Sequence, residues 1–285
     1  MTPFRLIYSI IGILISICFI FYIFQKYEVI NSLFSRGDIN ILNIFIFTLL
    51  YSAALILKPL RYFYILTPNK LKAFSKGFYI GNFLNLFIPF RIGDISRVFM
   101  FTDLIKRSEN LKLILIEKFL DLGLMIFFLL FVYLITNQYL VIINYLELLI
   151  LFIGILIFFI IRLKLLKFFS VILISTFAWF IEGIAFTYFL SFVLDLDFLS
   201  GFSFMPITTL STLIPSAPGY IGVINLAMIS WAEFLDVSNI YIGSIAFEIY
   251  ILTWICTFLF GLFCALTVKN AFKLFLKNLF KRNIK

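Results

Sequence analysis

The chain has 285 residues, 64% of them hydrophobic and only 13% charged, with a mean hydropathy of +1.14 and a formal net charge of +9. So few polar groups could not cover a water-soluble globule of this size, which excludes a soluble enzyme, a nucleic-acid-binding domain and a secreted disulfide scaffold and predicts a polytopic helical membrane protein. With no histidine in the chain, a Ser-His-Asp triad and imidazole metal ligation are excluded as well.

Taken in chain order, the first apolar run is Leu6 to Phe24, preceded by Arg5 and followed by no small-residue cleavage pattern. It reads as an uncleaved span. The second run is Ile39 to Leu57. A basic stretch follows, 58–76, with five Lys/Arg and no acid, punctuated by Pro59 and Pro68. Gly77 to Phe90 is apolar but only 14 residues long. At 1.5 Å per residue it would cover about 21 Å, too little for a core of about 30 Å, so a re-entrant segment is expected. Four long runs remain: Leu113 to Ile135, Tyr139 to Ile161, Phe168 to Leu194 and Ile240 to Val268. Between the last two lies 198–235, apolar but broken by Pro206, Pro215, Pro218, Gly219 and Gly222.

Charge placement orients this pattern. If both broken segments are re-entrant, 20 of the 23 Lys/Arg fall on the side of the N-terminus. They are Arg5, five in 58–76, five in 91–112, three in 162–167 and six in the tail 269–285. The positive-inside rule then puts both termini in the cytoplasm of a cell-membrane protein. The basic, apolar tail is expected on the anionic inner surface. The expected fold is all-α: six full spans plus two re-entrant segments in one membrane domain, 1–285, with halves of about 1–135 and 139–268.

The two broken segments resemble each other. Asn85-Leu-Phe-Ile-Pro89-Phe-Arg-Ile-Gly93 and Ser211-Thr-Leu-Ile-Pro215-Ser-Ala-Pro218-Gly219 share Ile-Pro-x-x-x-Gly after a polar residue, 126 residues apart. Three full spans with each break would invert the second half in the membrane. Paired Pro/Gly breaks in inverted halves point to a transport site near the midplane; unrelated proline kinks are the plain alternative. Breaking a helix frees backbone groups at depth, and helix N-termini facing the gap would favour an anion.

Ionisable residues inside the spans are the second pointer. Glu117 and Asp121 share a helical face, Lys118 lies beside them, and Glu182 and Glu248 occupy later spans. Charges at that depth cost about 2.5–3.5 kcal/mol on insertion scales, so such residues face a polar interior. Either they form a headgroup path, or they lock helices together, for example Glu117 with Arg91 or Arg97. The guanidinium groups of Arg91 and Arg97 suit bidentate phosphate binding, with plain positive-inside anchoring the alternative.

Residues Asn85 to Arg97, with Pro89, Arg91, Gly93, Asp94 and Arg97 at the motif positions, resemble the signature N-x-x-x-P-x-R-x-G-E/D-x-x-R of the lysylphosphatidylglycerol synthase transmembrane region, also called flippase-like or AglD-like. Glu117-Lys118-Phe-Leu-Asp121 is similar to its E-R-x-x-D motif, and Pro215-Ser-Ala-Pro218-Gly219-Tyr-Ile-Gly222 to its P-x-x-P-G-x-x-G motif. Asn225 stands about where the family has Glu, and Lys118 where it has Arg. The resemblance implies translocation of an amphiphilic lipid, an aminoacylated phospholipid or lipid-linked sugar. The substrate-binding set expected from the motifs is Asn85, Arg91, Asp94, Arg97, Glu117, Lys118 and Asp121, to which the ionisable residue in the last span, Glu248, is added; no cofactor or metal is expected. The family's soluble aminoacyl-transferase domain is not expected within this chain. Two alternatives stand beside it. One is a glycosyltransferase using a polyprenyl-phosphate donor, with Asp195-Leu-Asp197 as a D-x-D metal site. The other is a noncatalytic scaffold for a separate lipid-modifying enzyme.

Overall fold

A computed structural model describes residues 41–89, 91–135, 165–214, 218–237 and 242–268. The expected spans at 6–24 and 139–161, the tail 269–285 and Pro215 lie outside the described residues. Every regular element among those described is helical. They are α1 (Ile41–Leu60), α2 (Pro68–Phe87), α3 (Ile92–Phe99), α4 (Arg107–Ile135), α5 (Leu165–Leu194), α6 (Phe198–Ser211), a 3-10 turn (Pro218–Tyr220), α7 (Val223–Phe234) and α8 (Ile242–Thr267). Among the described residues three stretches are long and apolar enough to cross a membrane: α1, residues 168–194 of α5, and α8. The chain is a membrane protein. At 29 residues α4 has the length as well, but Glu117, Lys118 and Asp121 interrupt its apolar character.

Helix α2 differs from the reading by hydropathy. It begins at Pro68 rather than near Gly77 and runs 20 residues, because Lys70, Lys72 and Lys76 are good helix formers although they are not apolar. Pro68 suits the first turn, where its missing N–H costs nothing. The helix stops at Phe87, ahead of Pro89, as the proline requires. In the second half α6 stops at Ser211 and α7 resumes at Val223. Asp197 caps α6, accepting from the backbone N–H groups of Leu199 at 3.1 Å and Ser200 at 3.3 Å.

Among the described residues, 41–135 and 165–268 therefore each run helix, helix, break, helix, helix. The contacts follow the same scheme. Exchanging α1 with α5, α2 with α6, α3 with α7 and α4 with α8 maps the packed pairs onto one another: α2 on α8 becomes α6 on α4, and α2 on α3 becomes α6 on α7. The pair α1–α5 maps onto itself. The larger core joins α1, α4, α5, α6, α7 and α8 through Phe47, Met125, Phe186, Leu190, Phe204, Met228 and Ile245. A second core holds the chain after α1 against α2, α4 and α5, with Tyr62, Phe74, Ile114 and Val171 at its centre.

Close approach of α2 to its neighbours depends on glycine on two sides. A Cβ on Gly93 of α3 would lie 1.9 Å from the Gly81 carbonyl oxygen of α2, and one on Gly81 would lie 2.6 Å from the Arg97 stem. On the other side, a Cβ on Gly261 of α8 would sit 2.3 Å from the Phe83 Cβ of α2. Helix α2 is thus pinned between α3 and α8, with the break at its end facing inward.

Candidate functional site

The two breaks meet. Arg91, just past the first, donates from Nε to the carbonyl of Thr212 at 3.1 Å and from Nη2 to the Thr212 hydroxyl, just past α6. Its guanidinium also faces the Tyr220 ring, 5.6 Å from the centroid. Arg91 holds left-handed backbone angles, φ 51° and ψ 33°, at the N-cap of α3. For a residue with a Cβ this costs about 1–2 kcal/mol. The turn aims the side chain across the gap, and the contacts at Thr212 and Tyr220 hold it there.

Around this junction lies a cavity of about 250 Å³. Its walls come from both halves: Tyr51 and Lys58 of α1, Asn82 and Asn85 of α2, Asp94 of α3, Lys118 and Asp121 of α4, Trp179 and Glu182 of α5, Thr208, Thr209 and Thr212 around the end of α6, Gly219 and Tyr220 of the turn, and Tyr250, Thr253, Trp254 and Thr257 of α8. Aliphatic side chains, among them Leu55, Leu86, Met125 and Leu213, share the neutral part of the lining with hydroxyls and aromatic faces. Gly219, at φ 69°, packs beneath Tyr250 and Trp254, where a Cβ would lie 3.0 Å from the Tyr250 hydroxyl.

Among the described residues six ion-pair contacts join the charged groups at and behind this wall, Arg97–Asp94 and Lys118–Glu117 being the longest at 3.6 Å. Lys58 pairs with Glu182, and its ammonium sits 3.4 Å above the Trp179 ring. Arg61, fully buried, donates to Asp121 Oδ1 at 2.6 Å, and the same oxygen accepts from the Trp179 indole at 2.7 Å. Arg97 forms a bidentate pair with Glu117, both bonds 2.8 Å, between the rings of Phe74 and Phe78. Lys118 reaches Asp94 at 3.0 Å. Partners this deep must be matched, because removing one leaves an uncompensated buried charge.

Of the residues singled out from sequence, Asn85, Arg91, Asp94, Lys118, Asp121, Glu182 and Gly219 line the cavity. Glu117 and Arg97 do not. They lie behind it, sealed by each other at 0% and 1% exposure. Glu248 lies on α8 and is not in the lining. Glu117 and Asp121 share a face but have different partners, Arg97 and Arg61. Pro89, Gly93, Pro218 and Gly222 shape the breaks and packing rather than the wall. Asn85 buries an Oδ1 that has no hydrogen-bond donor among the described residues. Asn225, where a Glu was expected from the resemblance, accepts from the Gly222 backbone N–H at 3.1 Å and so ties the start of α7.

Lys58 and Arg61 correct the sequence reading. Counted there among loop cations, they are 7% and 0% exposed and belong to the charged wall. The usable signal was the two intramembrane acids, Asp121 and Glu182, which need two cations at the same depth; Lys58 and Arg61 stand at i,i+3 where an apolar run ends. Trp179 and Tyr220 had no comparable signal, since aromatic residues make up 20% of the chain. The D-x-D reading places Asp197 at a metal, whereas its carboxylate caps α6.

The family model described as lysylphosphatidylglycerol synthase TM region matches residues 9–172. No curated protein and no solved structure matches the chain.

Proposed function

The chain belongs to the lysylphosphatidylglycerol synthase TM region family, which points to a membrane lipid-related function, and from that premise we propose that it translocates an amphiphilic lipid whose headgroup passes through the central cavity. Arg91 carries the reading. Among the described residues the four acids Asp94, Glu117, Asp121 and Glu182 have cationic partners in Lys118, Arg97, Arg61 and Lys58. Arg91 is the cavity cation with no carboxylate in ion-pair contact; its contacts are the Thr212 oxygens and the Tyr220 ring. A phosphate-bearing headgroup would find there a guanidinium fork beside hydroxyls, in surroundings where its charge is not cancelled in advance.

The correspondence of the helix contacts under exchange of the two halves supports an inverted repeat. On that reading α2–α3 and α6–α7 are the two re-entrant pairs, six further segments cross the membrane, and both termini face the cytoplasm of a cell membrane. Alternating access would open the cavity to one side and then the other while the acyl chains stay in lipid. No phosphate-cradling ATP motif is legible in the sequence, so a gradient or substrate mass action would drive movement.

Arg91→Gly tests the reading, because glycine accepts φ 51° without strain while the guanidinium is lost. In proteoliposomes we expect translocation of anionic lipid to collapse while thermal stability stays within about 1 kcal/mol of the parent. Full translocation by Arg91→Gly would overturn the headgroup path.

A further inference from the structure

A second site lies outside the cavity. A groove of about 380 Å³ runs between the chain after α1, the first turns of α2 and the end of α8. Leu60, Phe63, Leu66 and Cys264 make its apolar floor, and Lys72 and Lys76 stand over it. Phe63 is 58% exposed, so the groove opens outward from the helical bundle.

The lysines of α2 fall into two sets. Lys70 is committed to Glu109, at 2.8 Å and 3.0 Å to its two oxygens. Lys72 and Lys76 share a face at i,i+4, and among the described residues neither has a carboxylate in ion-pair contact. An open apolar slot in a membrane protein takes a hydrocarbon chain, and two ammonium groups with no carboxylate partner among the described residues take a negative charge. We propose that this groove binds one anionic phospholipid, its acyl chain along Leu60, Phe63 and Leu66 and its phosphate on Lys72 and Lys76. This site is separate from the headgroup cavity and does not depend on translocation. Its occupant bridges α2, whose far end forms the first break, to α8, which walls the cavity. Two lysines near an anionic surface correspond to an enrichment of about 30-fold over a zwitterionic lipid.

Cys264 in the floor provides the readout. With Cys18→Ser and Cys256→Ser it is the only thiol in the chain. The protein would be reconstituted in phosphatidylcholine vesicles with and without phosphatidylglycerol, and alkylation by neutral N-ethylmaleimide timed. We expect phosphatidylglycerol to slow Cys264 alkylation several-fold, Lys72→Gln/Lys76→Gln to abolish the slowing, and Lys72→Arg/Lys76→Arg to keep it. Equal rates in both vesicles, or slowing that survives the glutamine pair, would overturn the proposal. So would equal protection by inorganic phosphate in detergent, which would make the ligand a soluble anion. Arg91→Gly is expected to leave the slowing intact, so failure of one site is distinguishable from failure of the other.

Discussion

Arg91 and Asp121 occupy the same cavity wall but answer to different physics. Arg91 is held in a strained turn by contacts to Thr212 and Tyr220, so its side chain can be removed with little loss of fold. Asp121 accepts from Arg61, which is fully buried. Asp121→Asn keeps the shape but leaves that guanidinium without its counter-charge, and we expect a loss of about 3–5 kcal/mol. Thermal unfolding in detergent checks it: an unchanged midpoint would show that Arg61 finds another partner. Gly93→Ala addresses packing alone. The added methyl would lie 1.9 Å from the Gly81 carbonyl oxygen, so α3 must move off α2 and the Arg97–Glu117 pair with it. A destabilisation of about 1–3 kcal/mol is expected, with Gly93→Ser at least as damaging.

At the scale of elements, charge pairs join helices that the loops leave free. Lys58 of α1 and Glu182 of α5 join the helix pair that maps onto itself when the halves are exchanged. Lys58→Met or Glu182→Leu alone leaves a buried charge and should cost about 3–5 kcal/mol, whereas the double change should fall near the parent. A double-mutant cycle on purified protein measures the coupling; additive losses would mean that the pair does not hold α1 to α5. Helix α6 is governed by its cap. Slight burial pushes the Asp197 carboxyl up, but hydrogen bonds from Ser200 and from the backbone N–H of Leu199 outweigh it and hold the group below the usual carboxylate range. A lowered value means that the cap's contribution is complete above the unfolded carboxyl pKa of about 3.9 and fades as pH falls through the lower folded value. Asp197→Ala should therefore cost about 1 kcal/mol at pH 7, and the difference should shrink only below about pH 4. Melting curves of both proteins across that range decide it.

For the whole molecule the open quantity is orientation. The split of basic residues predicts both termini in the cytoplasm and the 195–197 turn outside. Single cysteines at Ser32, Ser108, Asp195 and Lys285 report it with an impermeant reagent. Labelling of Ser32 and Asp195 from outside, and of Ser108 and Lys285 only after permeabilisation, is the expected pattern. Labelling of Lys285 from outside with Asp195 protected would reverse the orientation. Burying Lys58 and Arg61 removes two cations from the loop count without altering its sign, since 58–76 keeps Lys70, Lys72 and Lys76.

Composition alone made this a membrane protein, because a chain with 13% charge has no other solvent to fold in. Proline and glycine mark the breaks at Pro89 and in the stretch 212–222, whereas the break expected at Pro206 is absent: α6 runs through Pro206, as α1 runs through Pro59. Those are local properties, and they held at Phe87 and Ser211. Which charges face the cavity was not local. Glu117 and Asp121 are four residues apart on one helix, yet one is sealed behind the wall and the other lies on it, because α3 delivers Arg97 to the first and the chain after α1 delivers Arg61 to the second. Likewise Lys58 and Arg61 read as loop cations until α5 and α4 supply their acids. In a medium without water the position of a charge is set by its partner, and partners that are 20 to 124 residues away in sequence are chosen only by the packing of helices.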